Sequence, residues 1–263
     1  MTQFPQMPIL YVPPPEPAYI PSNGEILYAL LYRAPGAGRH PTLICCHGSP
    51  GSPIDGMPLG HALRAFGWNV LTFQYRGMWL SSGEPSPADA PADLRAVVDF
   101  ARADPGVDPE RIAIRGYSFG AWATTHYVPT DQRIRTVVLV SPYVWPFTLT
   151  PEMKEMLRRN LETRATPRAN ATLHGYKSLE AASRAFDSLP AIPSALDVAP
   201  QLADRRVLLV TGDKEDVVPP EQAPALARAI GTGEWKRHPD AAHAWIGSHQ
   251  EWLTTTIVEW LTA

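Results

Sequence analysis

Cysteine is nearly absent from this 263-residue chain, which has two, Cys45 and Cys46, side by side in an apolar run. Adjacent cysteines do not form an ordinary disulfide, so no disulfide framework is available and a reducing, cytoplasmic setting is expected. Charge is sparse, at 19% of residues, and close to balanced: 23 Lys plus Arg stand against 26 Asp plus Glu, a net of −3. That balance leaves no electrostatic footprint for nucleic acid. Also missing is any apolar stretch near the roughly 20 residues that span a bilayer. The first twenty residues hold no Lys or Arg, so neither a membrane span nor a signal peptide is expected. The histidines show no metal-ligand spacing, and no metal or cofactor is expected.

What is present is enough apolar material for a sizeable core, 44% of residues, punctuated by 29 Pro and 18 Gly. Such punctuation argues for many turns and against a long helical bundle. Pro13, Pro14 and Pro15 in a row predict an extended N-terminal arm over residues 1–18. Asn23-Gly24 marks a tight turn before a strand at Glu25 to Tyr32. Thr42 to Cys46 is a short, wholly apolar run, the pattern of a strand buried on both faces. Similar short runs recur at Asn69 to Phe73, Arg111 to Arg115, Thr136 to Val140 and Val207 to Thr211. Helical segments separate most of them; in Pro91 to Ala103, Leu94, Val97, Val98 and Ala101 mark one apolar face. Alternating strands and helices predict an α/β fold with a mostly parallel sheet flanked by helices. The alternation breaks over residues 142–201, where Pro151 to Thr163 and Ser178 to Phe186 predict a small helical cap inserted into a core of residues 1–141 and 202–263.

The strongest local signal is Gly116-Tyr117-Ser118-Phe119-Gly120, placed after a buried strand and before a helical segment. A nucleophile on a sharp strand-to-helix turn needs glycine two residues to either side, because a side chain there would strike the adjoining backbone. The turn also presents the Ser118 hydroxyl at the positive end of a helix. Serine is a poor nucleophile until a base takes its proton, so an acid and a histidine are expected downstream at later strand ends. Gly212-Asp213-Lys214-Glu215-Asp216 and then His243 meet that requirement in the order Ser, acid, His; His238 is a rival base. Acyl transfer further needs two N–H donors for a developing oxyanion. Phe119 supplies one, and Ser49 in the loop His47-Gly48-Ser49-Pro50-Gly51 is expected to supply the other, since Pro50 has no N–H.

Together these residues resemble the α/β-hydrolase superfamily, in particular bacterial serine esterases and lipase-like or acylpeptidase-like members, along nearly the whole chain. Tyr75-Arg76-Gly77 with Ser81-Ser82-Gly83, and Asp108-Pro109-Glu110-Arg111-Ile112, are similar to further family segments. The resemblance implies a serine hydrolase of carboxylic esters acting on a small molecule without a cofactor, with amide hydrolysis or ligand binding on the same fold as alternatives. Relatives place the triad acid three residues after the glycine and shortly before Val-Val-Pro, which lands here on Glu215; aspartate is the more usual acid, and Asp216 is its neighbour. One of the two is expected to hold the imidazole. Trp79, Trp122, Trp145 and Trp245 fall close in sequence to strand-end loops or to the serine turn and are expected to line a flat, aromatic substrate pocket.

Overall fold

The computed structural model of the chain describes residues 13–49, 53–144 and 192–263, with Pro151, Glu155, Arg159 and Arg184 between them. Among these residues one sheet holds β1 (Glu16–Ser22), β2 (Glu25–Tyr32), β3 (His40–Cys46), β4 (Asn69–Phe73), β5 (Val107–Tyr117), β6 (Thr136–Val140), β7 (Arg206–Gly212) and β8 (Glu234–His238), in the order β1-β2-β4-β3-β5-β6-β7-β8. The β1–β2 and β2–β4 pairs are antiparallel and the rest parallel. At Asn23-Gly24, φ values of 46° and 86° match the turn that suits the twist of a tight hairpin. The β1 strand takes up residues 16–18 of the predicted arm. Pro17 and Pro21 in it share parity, so both missing N–H groups fall on the open side of an edge strand.

Side chains of the central strands alternate between two cores, as a strand buried on both faces requires. Ile112, Ile114, Val137, Leu139, Val207 and Leu209 belong to one apolar cluster, with residues of α2 (Ala90–Ala103) and α3 (Phe119–Tyr127). Ala113, Val138, Val140, Leu208 and Val210 belong to the other, with Leu59 and Leu63 of α1 (Met57–Arg64). The predicted cap helices lie outside the described residues apart from Pro151, Glu155, Arg159 and Arg184, whose backbone is helical. The tail of that segment is core: Ala195 of α4 (Ala195–Val198), Ala199 and Leu202 are buried in the first cluster. Leu226 and Ile230 of α5 (Gln222–Ile230) join the first cluster. The last helix, α6 (Ser248–Thr262), puts Leu253 and Ile257 into the second.

The sheet order reverses at β3, which pairs with β4 on one side and β5 on the other. Ligands of open α/β sheets bind at the carboxyl ends of strands flanking such a reversal. Here those ends carry His47-Gly48-Ser49 and the turn around Ser118. Across the next loop, Asp93 is fully buried and accepts from Ser22 Oγ at 2.7 Å and from the Arg76 N–H at 3.0 Å and Nη2 at 2.7 Å. This ties β1, the loop after β4 and α2 together beside the reversal.

Candidate active site

Ser118 joins β5 to α3 with φ 52° and ψ −113°, a conformation that costs a non-glycine residue about 1–3 kcal/mol. Surrounding backbone holds it there. Its N–H donates to Val140 O at 2.9 Å, and its carbonyl accepts from Ala121 at 3.0 Å, Trp122 at 3.2 Å and Tyr143 at 3.3 Å. A methyl on Gly116 would come within 2.5 Å of Gly120 O, and one on Gly120 within 2.3 Å of Cys46 O. Both glycines are therefore needed for close approach, as the motif predicts. We expect Gly120→Ala to destabilise by about 1–3 kcal/mol, the usual range for overpacking. Thermal unfolding should show a drop of several degrees, and an unchanged Tm would contradict the tight packing of α3 on β3.

Downstream, β7 and β8 end side by side, and cross-links join the loops that follow. The Lys214 N–H donates to Ala241 O at 3.0 Å, Lys214 Nζ pairs with Asp240 at 2.6 Å, and Asp213 pairs with Arg237 at 2.8 Å. These contacts bring His243 to the serine. Ser118 Oγ lies 3.0 Å from His243 Nε2, and both oxygens of Glu215 face Nδ1, Oε1 at 2.8 Å and Oε2 at 3.0 Å. The partners define the tautomer: Nδ1–H donates to the carboxylate and Nε2 accepts the serine hydroxyl. Asp216 takes another position, accepting the backbone N–H of His243 through Oδ1 at 3.1 Å. His238 is packed at the end of β8 against His249 and Trp252, its Nδ1 accepting the Asp240 N–H at 3.1 Å.

Glu215 Oε1 also accepts the N–H groups of Val217 at 2.9 Å and Val218 at 3.0 Å. Burial alone would raise its pKa. The hydrogen bond from His243, the Val218 and Val217 N–H groups and the charge of His243 outweigh that and hold the carboxyl below the ordinary range. On the other side of the serine, His47 is buried, and its Nδ1–H donates to Gly48 O at 2.6 Å while Nε2 accepts the Tyr75 N–H at 3.4 Å. It braces the loop, and burial lowers its pKa. A methyl on Gly48 would come 3.3 Å from Ser118 Cβ, so the Ser49 loop lies against the turn that also begins α3 at Phe119.

The tryptophans divide. Trp122 is corrected: it is 2% exposed within the core, because its ring is enclosed by Phe119 at 5.6 Å and His126 at 4.3 Å, one turn of α3 to either side. Trp245 is buried, donates to Ser141 Oγ at 3.0 Å and stacks on Trp252 at 5.9 Å. Trp79 is 43% exposed in the loop after β4, with φ 51°. Trp145 lies outside the described residues. One contributor escaped the sequence reading: Tyr117 OH donates to His243 O at 2.8 Å. It occupies a variable position of the serine motif, where residue type carries no signal.

Fold and geometry define an α/β hydrolase. The alpha/beta hydrolase family profile matches residues 43–255, and the chain belongs to that family. It is 27% identical over 250 residues to the "Uncharacterized 31.7 kDa protein in traX-finO intergenic region" of Escherichia coli, covering 82% of this chain and 87% of that protein. Est1E from Butyrivibrio proteoclasticus, solved with ferulic acid bound, superposes with a TM-score of 0.71 at 20% identity, over 93% of this chain and 97% of its own. The enol-lactonase from Burkholderia xenovorans LB400 superposes at 0.72 and 18% identity, over 94% of this chain and 100% of its own. Identities this low speak for the fold alone. Among the described residues no helix is long and apolar enough to cross a membrane.

Proposed function

We propose that this hydrolase cleaves carboxylic esters through an acyl-enzyme on Ser118. The observation that carries the reading is the file Ser118 Oγ, His243 Nε2, His243 Nδ1, Glu215, with contacts of 3.0 Å and 2.8 Å, built on a strained turn. In this reading Ser118 Oγ attacks the ester carbonyl as its proton passes to Nε2, and the imidazolium is stabilised by Glu215 across Nδ1–H. The N–H groups of Ser49 and Phe119 bind the oxyanion. Collapse of the tetrahedral species expels the alkoxide, which takes the proton from His243. Water then attacks the acyl-enzyme with the same base and releases the acid and free Ser118. Asp216 is a positioning residue that fixes the backbone of His243. No cofactor enters any step. The substrate is a small molecule, and a cytoplasmic setting belongs to the same proposal, since both cysteines are buried free thiols.

A fluorophosphonate probe is expected to modify Ser118 and no other residue, as located by mass spectrometry of the digested protein. A panel of p-nitrophenyl esters of increasing acyl length, run beside aryl amides, should give turnover on esters well above that on amides. Absence of labelling would overturn the serine mechanism. Labelling without ester turnover would reduce the chain to an amide hydrolase or a binder.

A further inference from the structure

Arg115 lies three residues before Ser118 on β5 and is 2% exposed. Its Nε and Nη1 atoms are buried with no hydrogen-bond partner. A guanidinium in that state is the kind of group that an ion or polar ligand completes. Asp55, which lines the same space, is the carboxylate among the groups around it. Tyr117 lies under it, with the guanidinium carbon 5.2 Å from the ring centroid. Burial pushes the neighbouring Cys45 thiol up to about 11, so it stays neutral, and burial also favours neutral His47.

Arg115 lines a cavity of about 150 Å³ with Asp55, Tyr117, Trp245, Ile246 and Gln250. One water needs roughly 10–15 Å³ on the same measure, so the space takes an oxyanion of a few atoms with some hydration. Gln250 is in the first turn of α6, a 15-residue helix whose N-cap, Gly247, makes no side-chain cap. The positive end of that helix and the buried guanidinium thus meet at one cavity. We propose that this cavity is a subsite for a small oxyanion, a carboxylate or phosphate, bound by Arg115 at the start of α6. Its walls include Tyr117, whose ring centroid lies 5.4 Å from that of His243, and Trp245 and Ile246, which follow His243 in the chain. Asp55 is the carboxylate that shares the space and opposes the anion.

The test uses the full chain and does not depend on ester hydrolysis, because binding is read on Ser118→Ala as well as on the wild type. Inorganic phosphate and, separately, acetate are titrated against chloride at matched ionic strength. Tm is expected to rise saturably, by roughly 5–10 °C at a hundredfold excess over Kd, and fluorescence of the lining Trp245 should titrate with the same midpoint. Arg115→Met should remain folded, with a Tm in chloride at or above that of the wild type, and lose both responses. A wild type indistinguishable from its chloride control, or an unchanged midpoint in Arg115→Met, overturns the subsite. Should Arg115→Met fail to fold, Asp55→Asn decides: phosphate must bind several-fold more tightly, and equal or weaker binding overturns the proposal. The source of the anion is then read from turnover. Phosphate that raises KM for mono-p-nitrophenyl glutarate but not for p-nitrophenyl acetate assigns the site to a carboxylate carried by the substrate. Phosphate that raises neither assigns it to a free anion.

Discussion

Ser118→Ala is expected to lower kcat for p-nitrophenyl ester hydrolysis by roughly 10⁶, the scale reached when the nucleophile of a serine triad is removed. The fold should survive. Every contact that holds the turn is made by the Ser118 backbone, to Val140, Ala121, Trp122 and Tyr143, and alanine keeps them all. The change removes one hydroxyl whose partner is His243 Nε2, so Tm should stay within a few degrees of the wild type. Activity within tenfold of the wild type, in a preparation shown free of contaminating hydrolase, would end the assignment of Ser118.

Glu215→Gln is expected to be the next most damaging change, with a loss in kcat of roughly 10⁴ by analogy with amidating the acid of a serine triad. Glutamine fits the space but is neutral, and it must divide one carbonyl oxygen between the imidazole and the N–H groups of Val217 and Val218 that Glu215 Oε1 now satisfies. The imidazolium formed during reaction would then face no charge. Asp216→Asn is the matched control. Its amide oxygen can still accept the His243 N–H that Asp216 Oδ1 accepts now, so the loss should stay within about tenfold. Steady-state kinetics on one ester at one pH, with Tm measured for each variant, decides the matter. A mild Glu215→Gln beside a severe Asp216→Asn would reverse the roles assigned to the two acids.

Much of this architecture was legible because it is local. A strand buried on both faces must be apolar throughout, and β3, β4, β6 and β7 announce themselves that way. The serine turn is legible for a steric reason: the contacts that exclude a side chain at Gly116 and Gly120 are made within a few residues of the turn and with the neighbouring strand. Strand β1 was not legible, because Pro13, Pro14 and Pro15 read as an arm running to residue 18; only its place at the sheet edge leaves the missing N–H groups of Pro17 and Pro21 without consequence. Trp122 was misread for a related reason. Closeness to Ser118 in sequence says nothing of which side of α3 the indole takes, and packing on Phe119 turns it into the core.

By itself, the chain of residues determined the α/β class, the mostly parallel sheet, and the order Ser118, acid, His243, since these follow from periodicity, steric need and loop position. Tertiary structure decided what depends on direction and on partners distant in sequence. Glu215 and Asp216 are adjacent and chemically alike, yet one carboxylate meets the imidazole and the other the backbone N–H of the same histidine. That division is set by the turn closed through the Val217 and Val218 N–H groups and by the contacts that join the loops after β7 and β8. Arg115 is the second case. In sequence it is the second arginine of the run Arg111 to Arg115, and only the tertiary structure buries its guanidinium and sets it beside a cavity that Gln250 of α6 also lines.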